Sequence, residues 1–155
     1  MRAPTLVLLG TLALSLAGCG AIGKLLPGHV EKTSLDSVRV AAQPGANLDS
    51  ATRIDLAFVY TSEGVGLMPK TSPEWFGQKA SVVSGLGASL DVVSMGVPPA
   101  MLLTSLKLPS RHGKAVAVYA YARYVAPAGQ ARIDLTRYHA AVLWLGPAQI
   151  TVTEP

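Results

Sequence analysis

The sequence predicts a mainly β fold, an antiparallel sandwich of about eight strands with one short helical insertion. Three observations predict it. Short runs rich in Val, Ile, Leu and Tyr recur across residues 37–153, clusters of turn-forming residues separate them, and one segment beginning at Ser72-Pro73 carries helix-start chemistry. Half of the 155 residues are hydrophobic and 14% are charged, a balance that builds a packed core rather than a disordered chain.

Each element follows from its local pattern. Ser37–Ala41 alternates and is broken by the turn formers of Gln43–Ser50. Arg53–Tyr60 places Ile54, Leu56, Phe58 and Tyr60 on one face, while the other turns from Arg53 and Asp55 to Ala57 and Val59. Ser72 is read as N-cap with Pro73 at the first helical position, and the helix is expected to stop near Gly85. Leu90–Met95 and Leu102–Leu108 flank the turn at Val97–Ala100, and Pro109–Gly113 makes the next break. Lys114–Tyr124 is the longest strand, followed by Arg132–Leu135, Ala140–Leu145 and Gln149–Thr153.

The chain start has a different character. One positive side chain at Arg2, an apolar run over Leu6–Leu14 and the small residues Ala17-Gly18 describe a secretory signal peptide over residues 1–18. The run is shorter than the ~20 residues that cross a bilayer. Residues 19–36, with Pro27-Gly28 and small polar neighbours, read as a tether, and residues 37–155 as the folded domain. Cys19 is the sole cysteine, so the domain holds together without disulfides.

Catalytic chemistry finds little support. The net charge of +4 comes from scattered Lys and Arg, with no run resembling a nucleic-acid patch. His29, His112 and His139 have no metal-ligand spacing, so no metal site is expected. The Gly-x-Ser-x-Gly elbow of hydrolases is absent, and Gly64-Val65-Gly66 and Ser84–Gly87 lack the lysine of a phosphate loop. Asp55 and Asp134 are expected to pair with Arg53 and Arg132. Tyr119, Tyr121, Tyr124 and Trp144 line either a ligand groove or the core. The expectation is a protein that is not an enzyme, with no catalytic residue, no metal and no cofactor.

Two resemblances sharpen this reading. Leu16-Ala17-Gly18-Cys19 resembles the lipobox of bacterial lipoproteins, which implies that Cys19 carries a covalent lipid such as palmitate. Gly20 is not the Asp that retains such proteins in the inner membrane, which implies the periplasmic face of the outer membrane. The domain itself is similar to the outer-membrane lipoproteins of type VI secretion systems, the TssJ (SciN-like) family. Val38–Ala42 with Ala46–Ser50, then Arg53–Tyr60, Trp75-Phe76, Val97-Pro98-Pro99 to Leu108, and Ala115–Tyr124 carry the likeness in order. It implies a transthyretin-like β-sandwich that binds the periplasmic domain of a TssM-like inner-membrane protein. By position, Asn47, Leu48 and Asp49 stand at the tip of the partner-binding loop. Other readings stay open: a lipid-anchored periplasmic ligand-binding or enzymatic domain, or a pilot or inhibitor lipoprotein of another envelope complex. Neither a nucleic acid nor a small-molecule substrate is expected.

Overall fold

The structure is a computed structural model that describes residues 30–155; the signal-peptide reading, Cys19 and most of the tether lie outside the described residues. Two four-stranded sheets face each other. The first contains β1 (Ser37–Ala42), β4 (Leu102–Leu103), β7 (Ala140–Leu145) and β8 (Ile150–Thr153), in the order β4-β1-β7-β8. The second contains β2 (Thr52–Val59), β3 (Leu90–Val97), β5 (Ala117–Ala122) and β6 (Ile133–Asp134), in the order β3-β2-β5-β6. Pairing is antiparallel except between β1 and β7, which run parallel in register from Ser37 opposite Ala140 to Ala42 opposite Leu145. That parallel pair puts the starts of both strands at one end of the sandwich, called the base below, and their ends at the other, the tip.

The alternation read in the sequence is the alternation of burial. Val38 and Val40 of β1 point into the core with Ile54, Leu56 and Phe58 of β2 and Leu143 and Leu145 of β7. β5 is buried at every position because both of its faces are covered. Val118, Ala120 and Ala122 face the core between the sheets, whereas Tyr119 and Tyr121 face a second apolar layer formed with Trp75.

That second layer lies under the connection from β2 to β3, which holds α1 (Ser62–Leu67) and α2 (Ser72–Leu86). The N-cap of α2 is Thr71 rather than Ser72. Thr71 and Glu74 close a reciprocal capping box, with Pro73 in the first turn. The Ser72 hydroxyl accepts a hydrogen bond from Ala122 N at 3.0 Å, tying the start of α2 to the end of β5. The strand expected over 102–108 pairs with β1 only at Leu102 and Leu103. Beyond that, Leu106 N donates to Val38 O while Leu106 and Leu108 pack on the core, so the apolar spacing is used for burial without a ladder.

Candidate functional site

At the tip, four segments meet: Gln43–Ser50, the turn into β4, the exit of β5 and the β7–β8 turn. Gln43 N donates to Leu145 O, Asn47 N to Gly146 O, and Ala100 N to Gln43 O. The loop between β1 and β2 is pinned by Asn47, which is 2% exposed. Its Nδ2 donates to Arg123 O at 3.1 Å and its Oδ1 accepts from Val125 N at 2.8 Å. One side-chain amide thus satisfies two backbone groups left by the exit of β5. Tyr124 adds a tie on the other side: its hydroxyl donates its one proton toward Gly146 O at 2.9 Å and lies 3.3 Å from Gln149 O. Burial pushes the Tyr124 hydroxyl up to about 12, so it remains a donor across ordinary pH.

The backbone held this way is unusual. Asn47, Leu48 and Asp49 take φ of 50°, 55° and 58°, three consecutive left-handed residues, and Ala100 beside them has φ 57°. Among the described residues these are all the non-glycine positions with positive φ. Asn and Asp accept this region through local hydrogen bonding, whereas Leu and Ala pay roughly 1–2 kcal/mol for the crowding of Cβ. The result is that Leu48 stands out from the surface at 61% exposure. Val125, held by the Asn47 carboxamide, is equally exposed, and Met101, Leu102 and Trp144 are further exposed apolar residues at or beside the other sheet.

Of the three loop residues read from the sequence, Leu48 and Asp49 face solvent and Asn47 is the internal staple. Val125 and Ala100 were not singled out from the sequence. Asn47 and Asp49 were legible as turn formers, but nothing in the sequence marks Leu48 for a left-handed conformation.

The other sequence candidates lie elsewhere. The aromatic residues do not converge on a groove. Tyr121 stacks on Trp75 with ring centroids 4.7 Å apart, Tyr124 is in the main core, and Trp144 lies on the exposed face of the opposite sheet. Asp55 is fully buried under α2, where Trp75 Nε1 donates to Oδ2 at 2.8 Å. Its ion pair is with Lys79, at 2.8 Å, and the expected partner Arg53 is 3.9 Å away. Burial pushes the Asp55 carboxyl up, but hydrogen bonds from Lys79, Ser94 and Trp75 outweigh it and hold the group below its ordinary range. The expected Arg132–Asp134 pair does not form. Arg132 stacks over the Tyr119 ring at 4.0 Å and donates to the Met68 and Pro69 carbonyls, while Asp134 accepts from Thr136 N.

Both described histidines are at the base. His139 Nε2 lies 3.0 Å from Asp36 Oδ2, and His112 Nε2 lies 3.9 Å from Asp36 Oδ1. Among the described residues, no group of three His, Cys, Asp or Glu side chains is placed to hold a metal, and no helix is long and apolar enough to cross a membrane.

Fold and tip together define a class: a two-sheet sandwich with a helical flap on one sheet and a stapled, apolar-tipped loop between its first two strands. Solved structures share this fold. One is the Lip protein of Serratia marcescens, described as a membrane-bound component of the type VI secretion system. It matches at 16% identity and TM-score 0.58, over 77% of this chain and 96% of that one. The type VI lipoprotein TssJ1 of Pseudomonas aeruginosa matches at 16% identity and TM-score 0.51, over 76% and 92%. A chain in the structure described as the type VI secretion protein TssM C-terminal domain from EAEC matches at 9% identity and TM-score 0.52, over 76% and 98%. No family model and no curated protein sequence matches the chain. The fold is therefore that of the TssJ-type β-sandwich.

Proposed function

We propose that the protein is a lipid-anchored structural subunit of a type VI secretion membrane complex. In this reading Cys19 carries the lipid at the periplasmic face of the outer membrane, and the tip grips the periplasmic domain of a TssM-like inner-membrane protein. The observation that carries it is the tip itself: an exposed leucine held in a left-handed conformation by a buried carboxamide, with Val125 beside it. Strain maintained by dedicated hydrogen bonds is concentrated where proteins bind or react, and an exposed apolar anchor ringed by polar groups suits a protein interface. The fold likeness to type VI lipoproteins supports the same reading.

The polarity of the sandwich fits an anchor. Described chain enters at the base, where Thr33 N donates to Ala115 O and Asp36 N to His139 O. The six residues of β1 then carry it about 20 Å to the tip. A lipid joined ahead of the base leaves the tip directed away from the outer membrane, toward the inner-membrane partner. The tip offers contact area rather than a nucleophile poised beside a base, which favours a structural role over an enzymatic one.

The test is cross-linking and pull-down from native envelopes, read by mass spectrometry. The lipoprotein is expected to recover a TssM-like protein, and the Leu48→Asp, Asp49→Lys double variant, folded and localised, is expected to lose it. Recovery by both forms would move the interface off this loop. If neither form recovered a TssM-like protein, the anchoring role would fail.

A further inference from the structure

Next to the stapled loop is a cleft of about 280 Å³ between the start of α2 and the exit of β5, lined by Pro73, Phe76, Ala122, Arg123 and Tyr124 among others. Arg123 belongs to both features. Its carbonyl is held by Asn47 of the loop, its N–H donates to Arg53 O, and its guanidinium stands over the Phe76 ring at 5.7 Å. Arg53 approaches the same ring, at 5.4 Å to the centroid. Two guanidiniums thus approach one aromatic ring beside an apolar cleft, at the edge of the apolar tip.

Their charge is largely unspent. Arg123 has no carboxylate within ion-pair distance among the described residues, and residues 1–29 contain no Asp or Glu. Arg53 reaches only the 3.9 Å contact with Asp55, whose closer cation is Lys79. Two other acidic side chains, one at the start of α2 and one in the stapled loop, do not fill the gap. Glu74 is occupied by the capping box of α2, and Asp49 pairs with neither arginine. Two other arginines are closed off, Arg111 by a two-point contact with Asp91 and Arg132 by carbonyls. Arg39 and Arg137 are exposed and also without an ion pair among the described residues; what sets Arg53 and Arg123 apart is their shared place over Phe76. Cation–π contact with Phe76 draws both guanidiniums to one place, and among the described residues neither donates a side-chain hydrogen bond, so their N–H groups are available to a planar anion.

We infer that this cleft receives an acidic side chain of the protein partner, an Asp or Glu that flanks the apolar residue packed against Leu48 and Val125. The inference rests on reading the tip as a docking end. The chemistry required is a carboxylate, bound bidentately by Arg123 with Arg53 adding charge, next to an apolar group that covers Phe76 and Pro73. A lipid phosphate would satisfy the same guanidiniums, but the cleft is at the tip, the end remote from where the chain enters the domain, so the partner is taken to be a protein.

The experiment uses the full lipidated chain in detergent and the purified periplasmic domain of the TssM-like protein from the same organism. Binding is titrated at low and moderate salt. Arg123→Glu, and the Arg53→Glu, Arg123→Glu double variant, are expected to weaken binding by roughly ten-fold to a hundred-fold and to flatten its salt dependence. Arg123→Lys, which keeps the charge and loses the fork, is expected to lose less. Thermal melts matching the unmodified protein establish that these exposed substitutions leave the fold intact. If Leu48→Asp abolishes binding while both glutamate variants bind normally with an unchanged salt slope, the cleft takes no acidic group and the docking reading survives without it. Should the unmodified protein fail to bind the domain at all, the docking reading falls and takes this inference with it. If the glutamate variants keep partner binding but lose a preference of the unmodified protein for phosphatidylglycerol over neutral phosphatidylcholine vesicles, the arginines are assigned to the membrane instead.

Discussion

The two ends of this sandwich are built on opposite principles. At the base, two clusters of charge are closed on themselves. Arg111 binds Asp91 through two nitrogens at 2.9 and 3.0 Å and covers the Tyr60 ring at 3.9 Å, while Tyr60 donates to the same carboxylate. Asp36 is flanked by two histidines. At the tip, Arg53 and Arg123 are left without close partners, Leu48 and Val125 stand exposed, and the non-glycine residues with positive φ are gathered. The parallel β1–β7 pair sets these ends apart in space. A base that satisfies itself gives a firm footing, and a tip that does not satisfy itself has contacts left to offer.

The largest expected effect tests how firmly the tip is braced. Gly129 sits under the Tyr124 ring, and a Cβ added there would collide with Tyr124 Cβ, Cγ and Cδ1. Gly129→Ala must displace the ring, whose hydroxyl joins the exit of β5 to the β7–β8 turn. A loss of about 3 kcal/mol is expected in denaturant unfolding, together with loss of partner binding. The matching change at the base is Gly64→Ala, where the new Cβ would lie 2.9 Å from Val59 Cγ1. Helix propensity in α1 offsets part of that crowding, so about 1 kcal/mol is expected, with binding intact. Equal loss of binding in both would mean the ends are not independent.

Acid should separate the parts held by carboxylates from the staples of the tip. The Arg111 guanidinium holds the Asp91 carboxyl below its ordinary range, against the effect of burial and with help from Tyr60. Asp55 is held low as well, its burial outweighed by Lys79, Ser94 and Trp75. A carboxyl depressed in the folded state lends stability that is complete above its unfolded value of about 4 and is lost as pH falls through the lower folded value. The tip staples, an amide and a phenol, do not titrate in that window. Hydrogen exchange compared at pH 7 and about pH 3 should therefore show protection lost first around Asp91 at the base and around Asp55 under α2, nearer the tip, while Val125 N, bonded to Asn47, is the last to open. Simultaneous loss at both ends would mean that the carboxylates support the whole sandwich.

How much of this was legible in the sequence depends on how local the cause was. Strand positions, the helix start and the loop at Gln43–Ser50 follow from alternation, proline and turn formers within a few residues. α1 was not, because Ser-Glu-Gly-Val-Gly-Leu has weak helix propensity and depends on Thr61 capping Gly64 N and on Gly64 fitting against Val59. The parallel partner of β1 is about a hundred residues away, and no local pattern encodes it. The candidate loop was legible as a turn for the same reason. Asn47 and Asp49 announce a turn, yet Asn47 acts through Arg123 and Val125, 76 and 78 residues distant. Arg53 was read with its neighbour Asp55 two positions on, but Lys79 of α2 supplies the closer cation.

The smallest expected change is the most discriminating for the tip. Leu48 is exposed and left-handed, so its side chain adds little to the isolated fold while its backbone costs it roughly 1 kcal/mol. Asparagine tolerates the same conformation. Leu48→Asn should stabilise the protein by about 0.5–1 kcal/mol, seen as a melting temperature about 2–6 °C higher, and should bind the partner more weakly. That opposition is the signature of a residue retained for contact at the expense of stability. A variant that melts lower would mean Leu48 packs more than its exposure indicates. One that gains stability and binds as before would place the apolar anchor at Val125 instead.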